Sequence, residues 1–136
     1  MTRVEVDSTD KSFKNPTKPI GPIIAADAIG ANDWDVANTI NGPRRVVPSP
    51  RPVSIIDAHL IRNLVDLGAV VLCGGGGGIP IIKLDNNWSG VSAVIDKDST
   101  SALLAVELQV DLFVITTSVD AIYLHYGSEN QLQLKE

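Results

Sequence analysis

The stretch Val70-Val71-Leu72-Cys73-Gly74-Gly75-Gly76-Gly77-Gly78-Ile79-Pro80 decides how the rest of this chain is interpreted. Its apolar start predicts a buried strand over 70–73, and the five glycines predict a turn without side chains. Such a turn leaves backbone N–H groups uncovered, so an anion can approach them closely. A flexible linker is the alternative, but linkers rarely begin at the end of an apolar strand and stop at an Ile-Pro pair.

Composition describes one globular domain. The chain has 136 residues, of which 44% are hydrophobic and 20% charged, and this balance is not that of a disordered protein. The net charge of -5 argues against nucleic acid as the main partner. Seven of the eleven basic residues lie at or before Arg51, so this half of the chain can present a local positive face to an anionic ligand.

Cysteine usage and hydropathy bear on location. Cys73 is the single cysteine, which excludes an internal disulfide and favours a reducing compartment. We interpret Cys73 as a small buried core residue, with a reactive thiol as the alternative. The N-terminus has no apolar signal region and no apolar run reaches membrane-spanning length, so we expect a cytoplasmic protein without a membrane partner.

The first third of the chain is difficult to assign to regular structure. Residues 1–7 alternate and predict a short strand, while residues 8–22 are interpreted as a loop because three prolines exclude helix and central strand. Lys18 lies between two of these prolines, where stiff flanks suit a lysine that grasps an anion; an ordinary solvated lysine is the alternative. Residues 23–42 are interpreted as a mobile loop, and the spacing of the aspartates there matches no metal-binding loop.

The rest of the chain alternates helices and apolar strands. Ser54 is predicted to cap a helix over 54–67 whose apolar face carries Ile56, Leu60, Leu64 and Leu67. A second helix is predicted over 99–109, and the polar tail 128–136 could begin another. Further strands are predicted at 44–47, 79–84, 91–95, 112–117 and 122–127, with a turn at 85–88 and a polar break at 118–120.

Lys97 and Asp98 lie at the junction between a predicted strand and the second helix. A helix N-terminus attracts anions, and a lysine there adds positive charge. Simple capping by Asp98 or Ser99 is the alternative, but capping does not explain Lys97, whose charge is unfavourable at that end. This junction is therefore a candidate anion site.

These motifs together resemble the carbamate kinases, within the wider amino-acid kinase family. The matching residues run through nearly the whole chain: 15–22 (NPTKPIGP), 44–50 (RRVVPSP), the glycine run with Ile79-Pro80, 94–98 (VIDKD) and 117–123 (TSVDAIY). The resemblance implies an α/β fold, a three-layer α/β/α sandwich with a mostly parallel sheet. It also implies reversible phosphoryl transfer between ATP and carbamate, giving ADP and carbamoyl phosphate, with Mg²⁺.

The resemblance implies a role for each of several residues. Gly74, Gly75 and Gly76 would hold the carbamate or carbamoyl phosphate through their backbone. Lys97 would neutralise the transferring phosphoryl group, Asp98 would orient the catalytic lysines, and Lys18 would reach in from a protruding lid subdomain at about 8–50. The residues that would line the nucleotide site are Thr117, Val119, Asp120 and Tyr123. No metal ligands are predicted, and the family is typically a homodimer.

The chain departs from the family pattern in two respects. Gly42-Pro43 stands where the family usually has a glycine-flanked aromatic before the Arg-Arg pair. The family chain is also considerably longer, with a first strand carrying a Gly-Gly-Asn phosphate loop and a C-terminal segment carrying Gly-Pro-Lys. We therefore expect this chain to be the middle of the enzyme and, by itself, a poor kinase or none.

Three functions remain open from the sequence. The first is carbamate kinase activity, and the second is a catalytically inactive binding or subunit-interaction protein that keeps the fold. The third is a kinase-like domain that serves another carbamoyl-phosphate reaction. For the fold, we expect strands 70–73, 91–95 and 112–117 to share one sheet, with helix 54–67 on a face of it and the glycine run beside Lys97.

Overall fold

The structure, a computed structural model, describes residues 1–134 and has two sheets, a short ribbon and two helices. The strands are β1 (Arg3–Val6), β2 (Lys18–Ile23), β3 (Val36–Thr39), β4 (Gly42–Val47), β5 (Pro52–Ile55), β6 (Ile79–Leu84), β7 (Asn87–Gly90), β8 (Tyr123–Leu124) and β9 (Leu132–Gln133). The helices are α1 (Ala58–Asp66) and α2 (Lys97–Glu107), and short 3-10 turns cover Lys11–Phe13, Ala26–Ala28 and Gly75–Gly77.

The central sheet is mixed and has four strands in the order β5-β1-β6-β7. β1 runs parallel to β6 and antiparallel to β5, and β6 forms a hairpin with β7. Val4, Val6, Ile55 and Ile95 form the buried cluster between this sheet and α2. The predicted strands at 1–7 and 79–84 are confirmed. The predicted turn at 85–88 is shorter than expected, because Asn87 and Trp88 pair with β6.

A separate antiparallel sheet, in the order β2-β4-β3, will be called the lid sheet. It includes Lys18 and falls within the range predicted for the lid subdomain. The prediction of a loop through 8–22 is wrong from Lys18 onward, and the prediction of a mobile loop at 23–42 is wrong for β3. β2 accommodates its prolines because it is an edge strand, where one side of the backbone needs no partner.

α1 begins later than the sequence predicts. Its N-cap is Asp57, while Ser54 lies in β5 and donates its hydroxyl to Glu5 at 2.6 Å. Ile61 is the buried residue of α1. The predicted apolar face is not buried, since Leu60, Leu64 and Leu67 are 58%, 39% and 84% exposed. The helix was correctly predicted, but its leucines have no cover within the described residues.

The C-terminal end of α2 connects three elements. Glu107 accepts a hydrogen bond from the backbone N–H of Ile55 at 3.1 Å, which ties α2 to β5. Arg62 of α1 donates to the carbonyl oxygen of Leu108, which closes the last turn of α2. A cation at a helix C-terminus is favourable because unpaired carbonyls accumulate negative charge there. These contacts fix the axis of α2 and hence the position of its N-terminus.

The expected sheet of strands 70–73, 91–95 and 112–117 is not formed in residues 1–134, and that prediction is wrong. All three segments lack strand pairing. Ile95 is buried at 1% exposure, whereas Val70, Leu72 and Leu112 are 93%, 96% and 77% exposed. An apolar run becomes a strand only when a neighbouring backbone pairs with it along its length. Segment 91–95 does not form such a ladder, although the N–H groups of Val91 and Val94 donate to the carbonyl oxygens of Pro80 and Pro48.

Secondary structure is sparse after residue 110. Tyr123 and Leu124 pair with β9, and a turn at 125–127 replaces most of the strand predicted at 122–127. The helix start predicted in the tail 128–136 is wrong for residues 128–134, which contain β9; residues 135–136 lie outside the described part.

The glycine run forms a tight turn against the backbone of two other segments. Gly74, Gly76, Gly77 and Gly78 have φ of 67°, 67°, 92° and 83°, values that side-chain-bearing residues rarely adopt. A Cβ on Gly77 would overlap the carbonyl oxygen of Ile95, and one on Gly78 would lie 2.6 Å from Cγ2 of Val4. The turn is thus an ordered part of the fold, and the linker interpretation is wrong.

Replacing Gly77 should damage the fold far more than replacing its neighbour Gly75. Gly77→Ala combines a positive φ with a backbone overlap, so we expect a loss of about 3 kcal/mol or more in the free energy of unfolding. Gly75→Ala is the matched control, since a Cβ there meets nothing within 4 Å. Urea titration of both variants measures the difference, and equal stabilities would contradict the close approach at Gly77.

The pairing of β1 with the start of α1 should weaken in acid. Asp57 accepts from the backbone N–H of Arg3 at 2.9 Å and from its guanidinium at 2.7 Å, and these bonds lower the pKa of Asp57. A lowered folded-state pKa gives stability that is present above the unfolded value of about 3.9 and is lost as the pH falls through the folded value.

Asp57→Asn and Arg3→Met should each make the free energy of unfolding less dependent on pH below about pH 4. Urea titrations of the two variants and the parent chain across this range measure the slope. A slope in both variants equal to that of the parent would exclude a contribution from this pair.

Candidate active site

The N-terminus of α2 is organised by Asp96. Its Oδ1 accepts hydrogen bonds from the backbone N–H groups of Asp98 and Ser99, each at 3.1 Å. Asp96 is therefore the N-cap, and the alternative that Asp98 or Ser99 caps a helix beginning at 99 is wrong, because α2 begins at Lys97. Asp at this position satisfies helix N–H groups that otherwise lack partners.

Lys18 reaches this N-terminus from the lid sheet. Its Nζ donates to Oδ2 of Asp96 at 2.8 Å, across a sequence separation of 78 residues. Both side chains are partly exposed, at 37% for Lys18 and 40% for Asp96. The pKa of Asp96 is lowered, chiefly because the Lys18 ammonium donates to it and also because the N–H of Ser99 does. The lid lysine and the helix cap thus form one charged contact.

Lys97 lies in the first turn of α2, next to the cap. Its Nζ donates to Oδ1 of Asp98 at 2.9 Å, which raises the pKa of Lys97. Both side chains are exposed, at 69% and 53%. The contact with Asp98 accounts for a lysine at this unfavourable end of a helix. Asp98 contacts Lys97, whereas Lys18 contacts Asp96.

The glycine turn lies beside the same end of α2. Thr100, 1% exposed, donates its hydroxyl to the carbonyl oxygen of Gly77 at 2.8 Å, and Gly77 also meets the backbone of Ile95. The turn therefore contacts residues on both sides of Asp96 and Lys97. At its start, the N–H of Gly74 is bonded to the hydroxyl of Thr2 at 2.8 Å. Two hydroxyls thus hold the two ends of the turn.

The four residues predicted for the nucleotide site line one cavity of about 610 Å³. They are Thr117, Val119, Asp120 and Tyr123, and Tyr126 and Phe113 supply further aromatic wall. The Tyr123 hydroxyl donates to Asp120 at 2.9 Å, which raises the pKa of Tyr123. The volume lies in the range of small-molecule sites, and a mostly apolar wall with a few polar groups suits a planar base.

A second cavity of about 210 Å³ is lined in part by the glycine turn. Cys73, Gly74, Thr100 and Phe113 are among its lining residues. Phe113 lines both cavities, and Gly74 lines the second one. Cys73 is exposed, and its interpretation as a buried core residue is therefore wrong.

Sequence reasoning missed three residues that shape the site: Asp96, Thr100 and Thr2. Asp96 carried a signal, since an aspartate directly before a helix is a preferred N-cap, but placing the helix start at 99 hid it. Thr100 and Thr2 act through contacts with residues 23 and 72 positions away, which no local pattern encodes.

The described residues lack a metal-binding cluster and a membrane-spanning helix. Residues 1–134 contain no group of three or more His, Cys, Asp or Glu side chains placed to hold a metal ion. The same residues include no helix long and apolar enough to cross a membrane.

Comparison with known proteins identifies relatives of this chain. Carbamate kinase 3 of Staphylococcus aureus (strain USA300) is 47% identical over 141 residues, covering 100% of this chain and 46% of the relative. A crystal structure from Aeropyrum pernix K1 matches with a TM-score of 0.83 and 42% identity, covering 98% of this chain and 45% of that one. Carbamate kinase from Giardia lamblia bound to AMP-PNP matches with a TM-score of 0.76 and 36% identity, covering 98% and 44%.

The chain spans about half the length of the curated relatives it matches. A sequence profile of the amino acid kinase family covers residues 14–133, which is most of the chain and includes the lid sheet, the glycine turn and α2. On the strength of that match, the chain belongs to the amino acid kinase family.

Proposed function

We propose that this chain is the central part of a carbamate kinase-type phosphotransferase, which moves a phosphoryl group reversibly between ATP and carbamate. The proposal rests on one observation: Lys18, Lys97 and the glycine turn all make contacts near the N-terminus of α2, around residues 95–100. Phosphoryl transfer depends on positioning and positive charge more than on covalent chemistry by the protein. The relatives named above support carbamate as the acceptor.

The roles of individual residues follow from this arrangement. Gly74, Gly75 and Gly76 would hold the carbamate or carbamoyl phosphate through backbone groups. A Cβ on Gly75 or Gly76 would meet nothing within 4 Å, and the N–H of Gly74 would have to exchange its bond to the Thr2 hydroxyl for one to the substrate. Lys97 would stabilise the charge that spreads over the oxygens of the transferring phosphoryl group, and Asp98 would hold Lys97 in place. Lys18 would bring a second positive charge from the lid.

The nucleotide would occupy the cavity of Thr117, Val119, Asp120 and Tyr123. The cavity fits because its volume suits a nucleoside and its aromatic wall suits a base. Mg²⁺ would enter with the nucleotide phosphates, an arrangement that needs only one or two protein carboxylates and no preformed cluster. When bound, it would neutralise phosphate charge.

The surrounding architecture is part of the same proposal. Residues of about 8–50 would form a lid over the substrate, with the lid sheet as its framework. The complete domain would be a three-layer α/β/α sandwich with a mostly parallel sheet, in which segments 70–73 and 112–117 find strand partners. The exposed leucines of α1 support burial against further protein, including a second copy in a homodimer. The single cysteine supports a cytoplasmic location.

A subunit-interaction protein without activity is the second candidate. The observation that favours it is the run of exposed apolar residues at 112–115, since exposed apolar surface commonly marks an interaction site. An assay of ATP formation from carbamoyl phosphate and ADP separates the two candidates. It should be run on this chain and on the full-length protein, and ATP formation by the full-length protein is the expected result. Tight nucleotide binding without turnover by the full-length protein would favour the second candidate.

Lys97→Ala in the full-length protein should lower kcat on the order of a hundredfold or more, with a much smaller change in KM. The reason is that a charge matched to the transferring phosphoryl group acts mainly in the transition state. Lys83→Ala, which removes an exposed lysine from β6, is the matched control and should leave both constants near their original values. An unchanged kcat with a raised KM would assign Lys97 to ground-state binding.

A further inference from the structure

The contact between Lys18 and Asp96 joins the lid sheet to the rest of the molecule. Of the three ion pairs in residues 1–134, it is the one that connects a lid strand to α2. The backbone of Lys18 is held by pairing with Val47 of β4 and by the adjacent prolines. The side chain of Lys18 therefore extends from a fixed base, and Asp96 determines where its ammonium rests.

The two oxygens of Asp96 perform different tasks. Oδ1 accepts the backbone N–H groups of Asp98 and Ser99 and so caps α2. Oδ2 accepts Lys18. Asparagine caps helices about as well as aspartate, and its amide NH₂ in the Oδ2 position cannot accept a hydrogen bond from an ammonium. Asp96→Asn therefore removes the lysine contact and keeps the cap.

We propose that Asp96 is a positioning residue that serves as the resident counter-ion of Lys18, keeping the lid sheet against the N-terminus of α2 until an anionic substrate replaces it. The carboxylate holds the place that a phosphate or carbamoyl phosphate oxygen takes when substrate binds. This inference goes beyond the roles proposed for Lys18 and Lys97, and its substrate-displacement step rests on the proposed function.

The strength of the ion pair suits displacement. Both side chains are more than a third exposed, and ion pairs of this exposure contribute little net stability because water solvates the separated charges. A phosphate placed between Lys18 and Lys97 gains charge-assisted bonds to both ammonium groups at once. The internal pair is thus weak enough to yield to substrate.

Hydrogen exchange of the full-length protein without nucleotide tests the positioning role. Asp96→Asn and Lys18→Met should each speed exchange of the lid-sheet amides, in β2 and β4, by about threefold. The double variant should add nothing further, because each single change already breaks the same contact. Lys14→Met, which removes an exposed lysine outside the lid sheet, is the control and should leave this exchange unchanged.

Binding of inorganic phosphate, measured by calorimetry, tests the counter-ion step. Asp96→Asn should tighten the dissociation constant for phosphate by about threefold, because Lys18 no longer has to leave a carboxylate. This gain should vanish in a Lys18→Met background. Asp98→Asn removes a nearby charge that does not contact Lys18, so its effect on phosphate binding should be the same with and without Lys18→Met.

Additive effects of Asp96→Asn and Lys18→Met on exchange, or exchange unchanged in both, would overturn the positioning role. Phosphate affinity that is unchanged or weakened in Asp96→Asn would overturn the counter-ion step. Neither readout requires turnover, so a protein that lacks kinase activity but shows the coupled exchange would refute the proposed function and leave the positioning role of Asp96 intact.

Discussion

The close approach of the Gly77 backbone to the backbone of Ile95 is the constraint on which the site depends. It is possible only without a side chain at residue 77, and it places the glycine turn against the segment that leads into α2. The buried hydroxyl of Thr100 donates a hydrogen bond to Gly77 and so stabilises this contact. The hydroxyl needs that bond because burial without a partner would cost free energy of desolvation. Because the turn and the helix N-terminus share this contact, their backbone N–H groups are held in a fixed relation.

Two lysine–aspartate ion pairs lie close to that contact. Asp96 and Asp98 follow one another at the start of α2, and each binds a lysine, one from the lid sheet and one from the helix itself. A bare cluster of two lysines at a helix N-terminus would repel itself and the helix dipole. The two carboxylates offset that repulsion while leaving both ammonium groups partly exposed.

The apolar residues of the chain fall into a buried group and an exposed group. Val4, Val6, Ile55 and Ile95 are buried around β1, where sheet and helix cover both sides. Segments 70–72 and 112–115 are just as apolar and remain exposed. Their composition suits strands, but strand formation needs a hydrogen-bonding neighbour as well as hydrophobicity. Val4, Val6 and Ile55 lie in paired strands, whereas segments 70–72 and 112–115 have no strand partner within residues 1–134.

What the sequence determined by itself was local. The glycine turn, the helix-prone segments and strands β1 and β6 were predictable because their signals lie within a few residues of one another. The residues proposed for the site were named from a family resemblance, and the structure brings Lys18 to the Asp96–Asp98 junction and the nucleotide set into one cavity. The tertiary structure decided which carboxylate meets Lys18, which hydroxyls hold the glycine turn and which apolar segments find strand partners. The side-chain contacts among these join residues that are 23 to 78 positions apart in the chain, and no local pattern of residues carries that information.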